Sequence, residues 1–343
     1  MDRKIRIGFV GVGGMGQAAH LRNYATLPEC EVVALAELRP KLGEAVARKW
    51  NIPRVYPDAA ALLENEKLDG IVASQPFDRH GSIIPPLYQA GIPVFTEKPL
   101  ASSIEVGKRM LDALTQGGSW HMVGYHKRSD PATMAAKAEI ERLKSTGELG
   151  RLRYVRITMP SGDWIAGGFN ENVSSDEPYP SIPADTTGDE AYISFVNYYI
   201  HQVNLMRHLL GESYQVTYAE PSGVLLSVRS ASGIAGVIEM TPFRTTLDWK
   251  ETALIAFERG YLLLSLPAPV VHNRPGQLEI FSDPGDGKTP QTIYPQLPWI
   301  HAMRQQASNF IAAIKGEREP MCDATEALED LKIARQYLNL INA

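Results

Sequence analysis

Cysteine is nearly absent from this chain, with 2 residues in 343, Cys30 and Cys322, far apart in sequence. That excludes a disulfide framework and a zinc site built on cysteines, fits a reducing cytoplasm, and leaves no metal site expected. Long basic blocks are missing too. With 34 Lys and Arg against 39 Asp and Glu, the net charge of −5 gives no reason to expect a nucleic-acid partner. No run approaches the ~20 apolar residues of a membrane span, so no membrane partner is expected. The opening stretch MDRKIRIGFVGVGG is basic and then apolar, like the start of a signal peptide. Its apolar run is too short and turns glycine-rich at once, so it reads as a strand. There is no internal repeat and no low-complexity tail.

What is present describes a soluble globular protein: 44% hydrophobic and 21% charged residues, in a chain too long for one ordinary domain. Residues 5–10, IRIGFV, pass straight into Gly11-Val12-Gly13-Gly14-Met15-Gly16, a G-x-G-x-x-G between a strand and the helix-like QAAHLRNYATL. Alone the glycine pattern is weak. A second β run, EVVALA, ends on Glu37, and this context makes it a dinucleotide fingerprint. Gly11 permits the tight turn, Gly13 lets backbone approach the pyrophosphate, and Gly16 lets helix and strand pack. Free amides at the helix start, among them those of Gly14 and Met15, face the phosphate charge. Glu37 would accept hydrogen bonds from the adenosine ribose and repel a 2′-phosphate, which favours NAD; Arg39, two residues on, could hold that phosphate and keeps NADP open. The plain alternative for Glu37 is a solvated strand-end charge.

The alternation continues. Helices are expected near 40–50 and 58–65, a strand over 68–74, a helix ended by Gly91, a strand in PVFTEKP, a helix over 102–116 and a strand over 121–124. Alternating strands and helices imply an α/β, Rossmann-type, doubly wound parallel sheet over residues 1–125, with ligands beyond the carboxyl ends of its strands. The turn Ser74-Gln75-Pro76 and Lys98 of Glu97-Lys98-Pro99 both stand at such ends. Pro99 has no N–H for a neighbouring strand, so the sheet stops there and Lys98 is held on backbone with little freedom. Taken alone, the triplet is equally a surface turn with a solvated lysine. Tyr125-His126-Lys127-Arg128 follows the last strand as an aromatic and basic cluster.

From Arg151 the character changes. RLRYVRITM, YQVTYAE, GVLLSVRS, GIAGVIEM, KETALIAFE and GYLLLSL are successive β runs joined by short turns. They predict an α+β substrate domain over 126–300 with a large, mainly antiparallel open sheet. One long helix, about 190–210, carries an apolar stripe through Ile193, Val196, Ile200, Val203 and Met206. Asn197, His201, Asn204 and His208 form a polar stripe beside it, in the plain reading a wet face. Residues 160–189 form a long acidic loop without Lys, Arg or His. Such a segment is a lid, a binding loop or disorder. Its Trp164, Phe169 and Tyr179 could stack on a sugar ring or anchor the loop. Two C-terminal helices over 301–343 would brace the two domains, the second opening on the cap Asp323-Ala324-Thr325-Glu326.

Taken together, Gly11–Gly16, the His80 region, Glu97-Lys98-Pro99, Gly124–Pro131 and the helix ending HQVNLMRHLLG resemble the glucose–fructose oxidoreductase/inositol dehydrogenase (Gfo/Idh/MocA) family. The resemblance implies Lys98 as the acid/base residue at the hydroxyl or carbonyl being interconverted, with Glu97 near the cofactor. It also implies a homodimer or homotetramer. Lys98 would serve better as a base with its pKa lowered by burial and the positive nicotinamide. The family commonly has Asp-x-x-x-His on the long helix. His201 matches the histidine and, with an ordinary pKa of about 6.5, can relay a proton. Asn197 replaces the aspartate; it can orient a sugar hydroxyl but cannot stabilise imidazolium. Tyr125, His126, Lys127 and Trp164 complete the expected substrate contacts. The function implied is an NAD(P)-dependent oxidoreductase for a ring secondary alcohol of a sugar, glycoside or cyclitol. Two alternatives stay open: a redox-neutral glycosidase or lyase using transient oxidation, and a non-enzymatic sugar- or nucleotide-sensing protein.

Overall fold

The run IRIGFV forms β1 (Ile5–Val10), buried at five of its six residues. β2 (Cys30–Ala36), β4 (Gly70–Ala73), β5 (Val94–Glu97) and β6 (His121–Gly124) are buried almost throughout, and the short β3 (Val55–Tyr56) closes one edge. Continuous burial on both faces is what a parallel sheet covered by helices requires. The six strands are parallel in the order β3-β2-β1-β4-β5-β6, so the order reverses between β1 and β4. Helices Pro40–Trp50, Ala59–Asn65 and Ile104–Gly117 connect them. The expected helix before Gly91 is two short ones, His80–Ile83 and Pro85–Tyr88, because Pro85 and Pro86 cannot donate within one continuous helix.

The computed structural model describes residues 3–185 and 189–342. The chain divides into two compact units: the first comprises residues up to 125, 167–193 and 306–331; the second comprises 126–166, 194–305 and 332 onward. Most of the acidic loop therefore belongs to the first unit. So does Phe310, whose ring meets Tyr24, Phe95 and Trp120 at centroid distances of 6.4, 5.6 and 5.6 Å. These aromatics seal the core under the parallel sheet.

The second unit is built on β7 (Leu152–Ser161), β8 (Tyr214–Ala219), β9 (Leu225–Ser230), β10 (Ala235–Arg244), β11 (Glu251–Phe257), β12 (Gly260–Leu266), β13 (Gln277–Ser282) and β14 (Gln291–Ile293). Their order is β14-β13-β12-β11-β7-β10-β9-β8. Strict alternation of buried and half-buried residues along β11 shows one face packed and one open. Every pair is antiparallel except β7–β10. A parallel pair needs a long crossover, and the chain from 162 to 234 supplies it. Within that crossover the expected single helix is two, Glu190–Tyr198 and Ile200–Leu210, parted at Tyr199. The Tyr199 hydroxyl is bonded to Thr241 Oγ1 at 2.9 Å and its ring lies 5.6 Å from that of Phe195. The helix Pro131–Thr146, capped by Asp130, had no counterpart in the sequence reading.

Candidate active site

At the carboxyl ends of β1, β2 and β4 a cleft of about 400 Å³ opens in the first unit. Gly11 has φ +88°, and a Cβ there would lie 2.3 Å from Gln75 Nε2 and 2.8 Å from the Ser74 carbonyl, so only glycine fits. At Gly13 a Cβ would meet nothing nearer than Arg39 Nη2 at 3.9 Å. That leaves open space where the fingerprint puts pyrophosphate. A Cβ at Gly16 would lie 3.0 Å from the Gly11 carbonyl. Gln17 N–H donates to the Gly13 carbonyl at 3.0 Å, with Gly14, Met15 and Gly16 inside that first turn.

Glu37 is buried. Its Oε2 accepts the Val12 amide at 3.0 Å, and its Oε1 accepts Arg39 N and Nε at 3.2 and 2.7 Å. A carboxylate offers about four acceptor sites, so capacity for a ribose hydroxyl remains. Arg39 is thereby turned onto the carboxylate of the residue expected to bind ribose. Ser74 and Gln75 line the same cleft, Gln75 Nε2 donating to the Val10 carbonyl at 2.9 Å, and Pro76 starts the turn that carries Arg79. Ala59, Leu63, Ile83 and Pro86 supply apolar walls. Backbone, acceptor and apolar surface together suit the adenosine half of a dinucleotide.

The lysine loop is joined to this cleft by two histidines. His80, fully buried, sets Nε2 3.2 Å from the Gln75 carbonyl and Nδ1 3.0 Å from the Leu100 carbonyl. Burial lowers its pKa against the two carbonyls, one facing each ring nitrogen, and a neutral ring donates to only one of them at a time. His80 therefore links the 74–76 turn to the loop after Lys98. His20, on the glycine-loop helix, bonds Glu97 Oε1 at 2.7 Å, while Glu97 Oε2 accepts the Lys98 amide at 3.2 Å. Burial raises the Glu97 pKa, but the His20 bond and the Lys98 charge outweigh it and hold the carboxyl below its ordinary value. Lys98 is half-buried and its bond to Pro99 is cis. Sequence reasoning missed His20; its signal was a lone polar ring in the apolar stretch four residues beyond Gly16.

The remaining predicted residues fall elsewhere. Tyr125 is buried at the end of the first unit. In the second unit the rings of His126 and His201 meet edge-on at 4.7 Å. Lys127, also buried, forms an ion pair with Glu251, whose carboxylate takes Trp249 Nε1 at 3.0 Å and Gln202 Nε2 at 2.7 Å as well. The polar stripe is not a uniformly wet face. Asn197 is exposed and His201 half-buried, while Asn204 is buried and accepts Arg128 Nε at 2.6 Å. Trp164 is 37% exposed, on the near side of the acidic loop. A second cleft of about 360 Å³, lined by Asp163, Trp249, Lys250, Thr252, Arg274 and Gln277, had no sequence signal.

Asp130 is a buried carboxyl of the second unit. It caps helix Pro131–Thr146 through Ala132 N at 2.8 Å and receives Gly276 N at 3.0 Å. Burial pushes it up to about 6, against those amides and the Lys127 charge. Because the folded pKa is raised, the native state binds the extra proton, and stability should fall as pH rises from 3.8 through about 6. At ~1.4 kcal/mol per pK unit the loss is about 3 kcal/mol. Asp130→Asn keeps the cap and should remove that slope. Denaturant midpoints measured at mildly acidic and neutral pH would show it, and parallel profiles for the two proteins would refute it.

A parallel sheet of this strand order and a glycine turn that only glycine can form define a Rossmann-type dinucleotide-binding fold. Comparison with known proteins agrees: residues 5–125 match the family described as "Oxidoreductase family, NAD-binding Rossmann fold". That match, to the Gfo/Idh/MocA model, takes in about a third of the chain. It is 29% identical over 223 residues to the inositol 2-dehydrogenase/D-chiro-inositol 3-dehydrogenase of Lacticaseibacillus casei, a match spanning 64% of this chain and 57% of that enzyme. With the inositol 2-dehydrogenase of Rhizobium meliloti it shares 24% identity over 96% of this chain and 94% of the relative. Levoglucosan dehydrogenase, solved with NADH and levoglucosan, has the same fold, with TM-score 0.72, 20% identity and 99% and 98% of the two chains covered.

Proposed function

We propose that the protein is an NAD-dependent oxidoreductase interconverting a ring secondary alcohol and the matching ketone of a sugar, glycoside or cyclitol. The observation that carries this reading is the tie between dinucleotide cleft and lysine loop: His80 bridges Gln75 and Leu100, and His20 holds Glu97 beside Lys98. The inositol and levoglucosan dehydrogenases to which the chain is similar support the substrate class. A bound nicotinamide supplies the hydride acceptor or donor. Lys98 Nζ takes the hydroxyl proton in oxidation and returns it in reduction. His201, with His126 against it, relays a proton or hydrogen-bonds a ring hydroxyl, and Asn197 positions the ring without charge. Tyr125 and Trp164 are assigned to contact the substrate. Lys127, committed to Glu251, acts by fixing the backbone that carries His126. NAD is preferred over NADP because the Glu37 carboxylate repels a 2′-phosphate and engages Arg39.

The test is NADH formation by the purified protein over a panel of inositols, anhydrosugars and glycosides. At least one member should be oxidised. Bond cleavage without NADH accumulation would move the reading to a redox-neutral reaction, and tight NAD binding with no turnover on any member would sink the enzymatic one.

A further inference from the structure

The acidic loop is tied down where a free segment would drift. It begins at the glycine loop, with Asn172 Nδ2 donating to the Gly14 carbonyl at 3.0 Å. The Gln17 side chain then pairs with both backbone groups of Val173, at 2.8 and 2.9 Å. Helix Pro40–Trp50 has no side-chain cap from its own Arg39. Glu177, far along the chain, supplies one: its two oxygens accept Lys41 N and Leu42 N at 3.0 and 2.9 Å, and Ser175 Oγ supports it at 3.0 Å. Helix amides at an N-terminus favour such a carboxylate. Asp176 pairs with Lys41 Nζ at 3.0 Å. At the other end, Asp185 accepts Gly81 N at 2.6 Å and donates its own N–H to the Asp78 carbonyl at 2.6 Å.

Tyr179 lies between those anchors. The guanidinium carbons of Arg39 and Arg79 lie 5.1 and 5.5 Å from its ring centroid, and Tyr179, Pro180 and Ile182 line the cleft with Glu37 and Ser74. The ring is 59% exposed, so burial in a core is not what holds it there.

We propose that residues 172–185 are a strap across the adenosine end of the dinucleotide cleft, with Tyr179 as the positioning residue that closes it on the adenosine. The proposal rests on the cofactor reading above. The strap reaches the cleft beside Glu37, the ribose anchor, so its ligand is the adenosine half of the dinucleotide and not the nicotinamide half. Exchange of cofactor then requires the anchors to open, and the bound dinucleotide leaves slowly.

Tyr179→Ala, at an exposed position, should leave the fold intact, and its NADH dissociation rate in stopped-flow fluorescence should rise about tenfold or more. In calorimetry its affinity for ADP-ribose should fall by a similar factor, with affinity for nicotinamide mononucleotide unchanged. Glu177→Ala, which loosens the anchor without touching the ring, should also raise the dissociation rate. If the wild type binds NADH and both variants release it at the wild-type rate, the strap is refuted and the cofactor reading survives. Tighter ADP-ribose binding by Tyr179→Ala would refute the strap differently, placing the ring where adenine belongs. A wild type that binds no NADH would remove the cofactor reading and the strap with it.

Discussion

Lys98→Met is expected to lower kcat by about 10²–10⁴-fold, the range for losing a positioned general acid–base, while NADH affinity stays within about twofold. Methionine keeps a straight aliphatic stem at a half-buried position, so packing is conserved and only the ammonium is lost. The loop that carries it does not depend on that ammonium: the Lys98 amide is held by Glu97, Glu97 by His20, and the Leu100 carbonyl by His80. A loss of kcat with unchanged cofactor binding therefore isolates proton transfer from scaffolding. Steady-state kinetics on the best substrate of the panel, beside an NADH titration, makes the measurement. A kcat within tenfold of wild type would take Lys98 out of the chemistry.

The largest expected stability effect lies in the second unit. Glu251 is 1% exposed and collects Lys127, Trp249 and Gln202 on one carboxylate. Removing one partner of a buried pair leaves the other charge uncompensated, at a cost of about 3–5 kcal/mol. Glu251→Ala should lose that much in equilibrium denaturation. The double variant Lys127→Met/Glu251→Leu should recover most of it, because it leaves no buried charge behind. A loss below about 1 kcal/mol in the single variant would show that water reaches the Lys127 ammonium. The same pair commits Lys127, a lysine expected to contact substrate, to Glu251.

Much of the first unit could be read before any coordinates. Helix 40–50, the strands ending at Glu37 and Glu97, and the Gly11 turn are local consequences of periodicity, proline and glycine, and the structure places them as expected. In the second unit the six β runs appear as strands, and Gly260 closes the β11–β12 hairpin. β13 and β14 were not legible, since the mostly half-exposed residues of β13 and the exposed ones of β14 carry no strong alternation. The parallel pairing of β7 with β10 was hidden for another reason: short turns between neighbouring runs argue for antiparallel pairs, while this pair is joined across the long crossover.

Sequence alone determined the dinucleotide-binding class and the lysine at a strand's carboxyl end, because both depend on residues adjacent in the chain whose backbone preferences act locally. Tertiary structure decided the rest. It seated His20 on Glu97, His80 between Gln75 and Leu100, Lys127 on Glu251 and Glu177 on the amides of Lys41 and Leu42. Each of these joins groups distant in sequence, and a buried charge or an uncapped helix end accepts any partner that folding delivers. Periodicity carries no record of which one arrives.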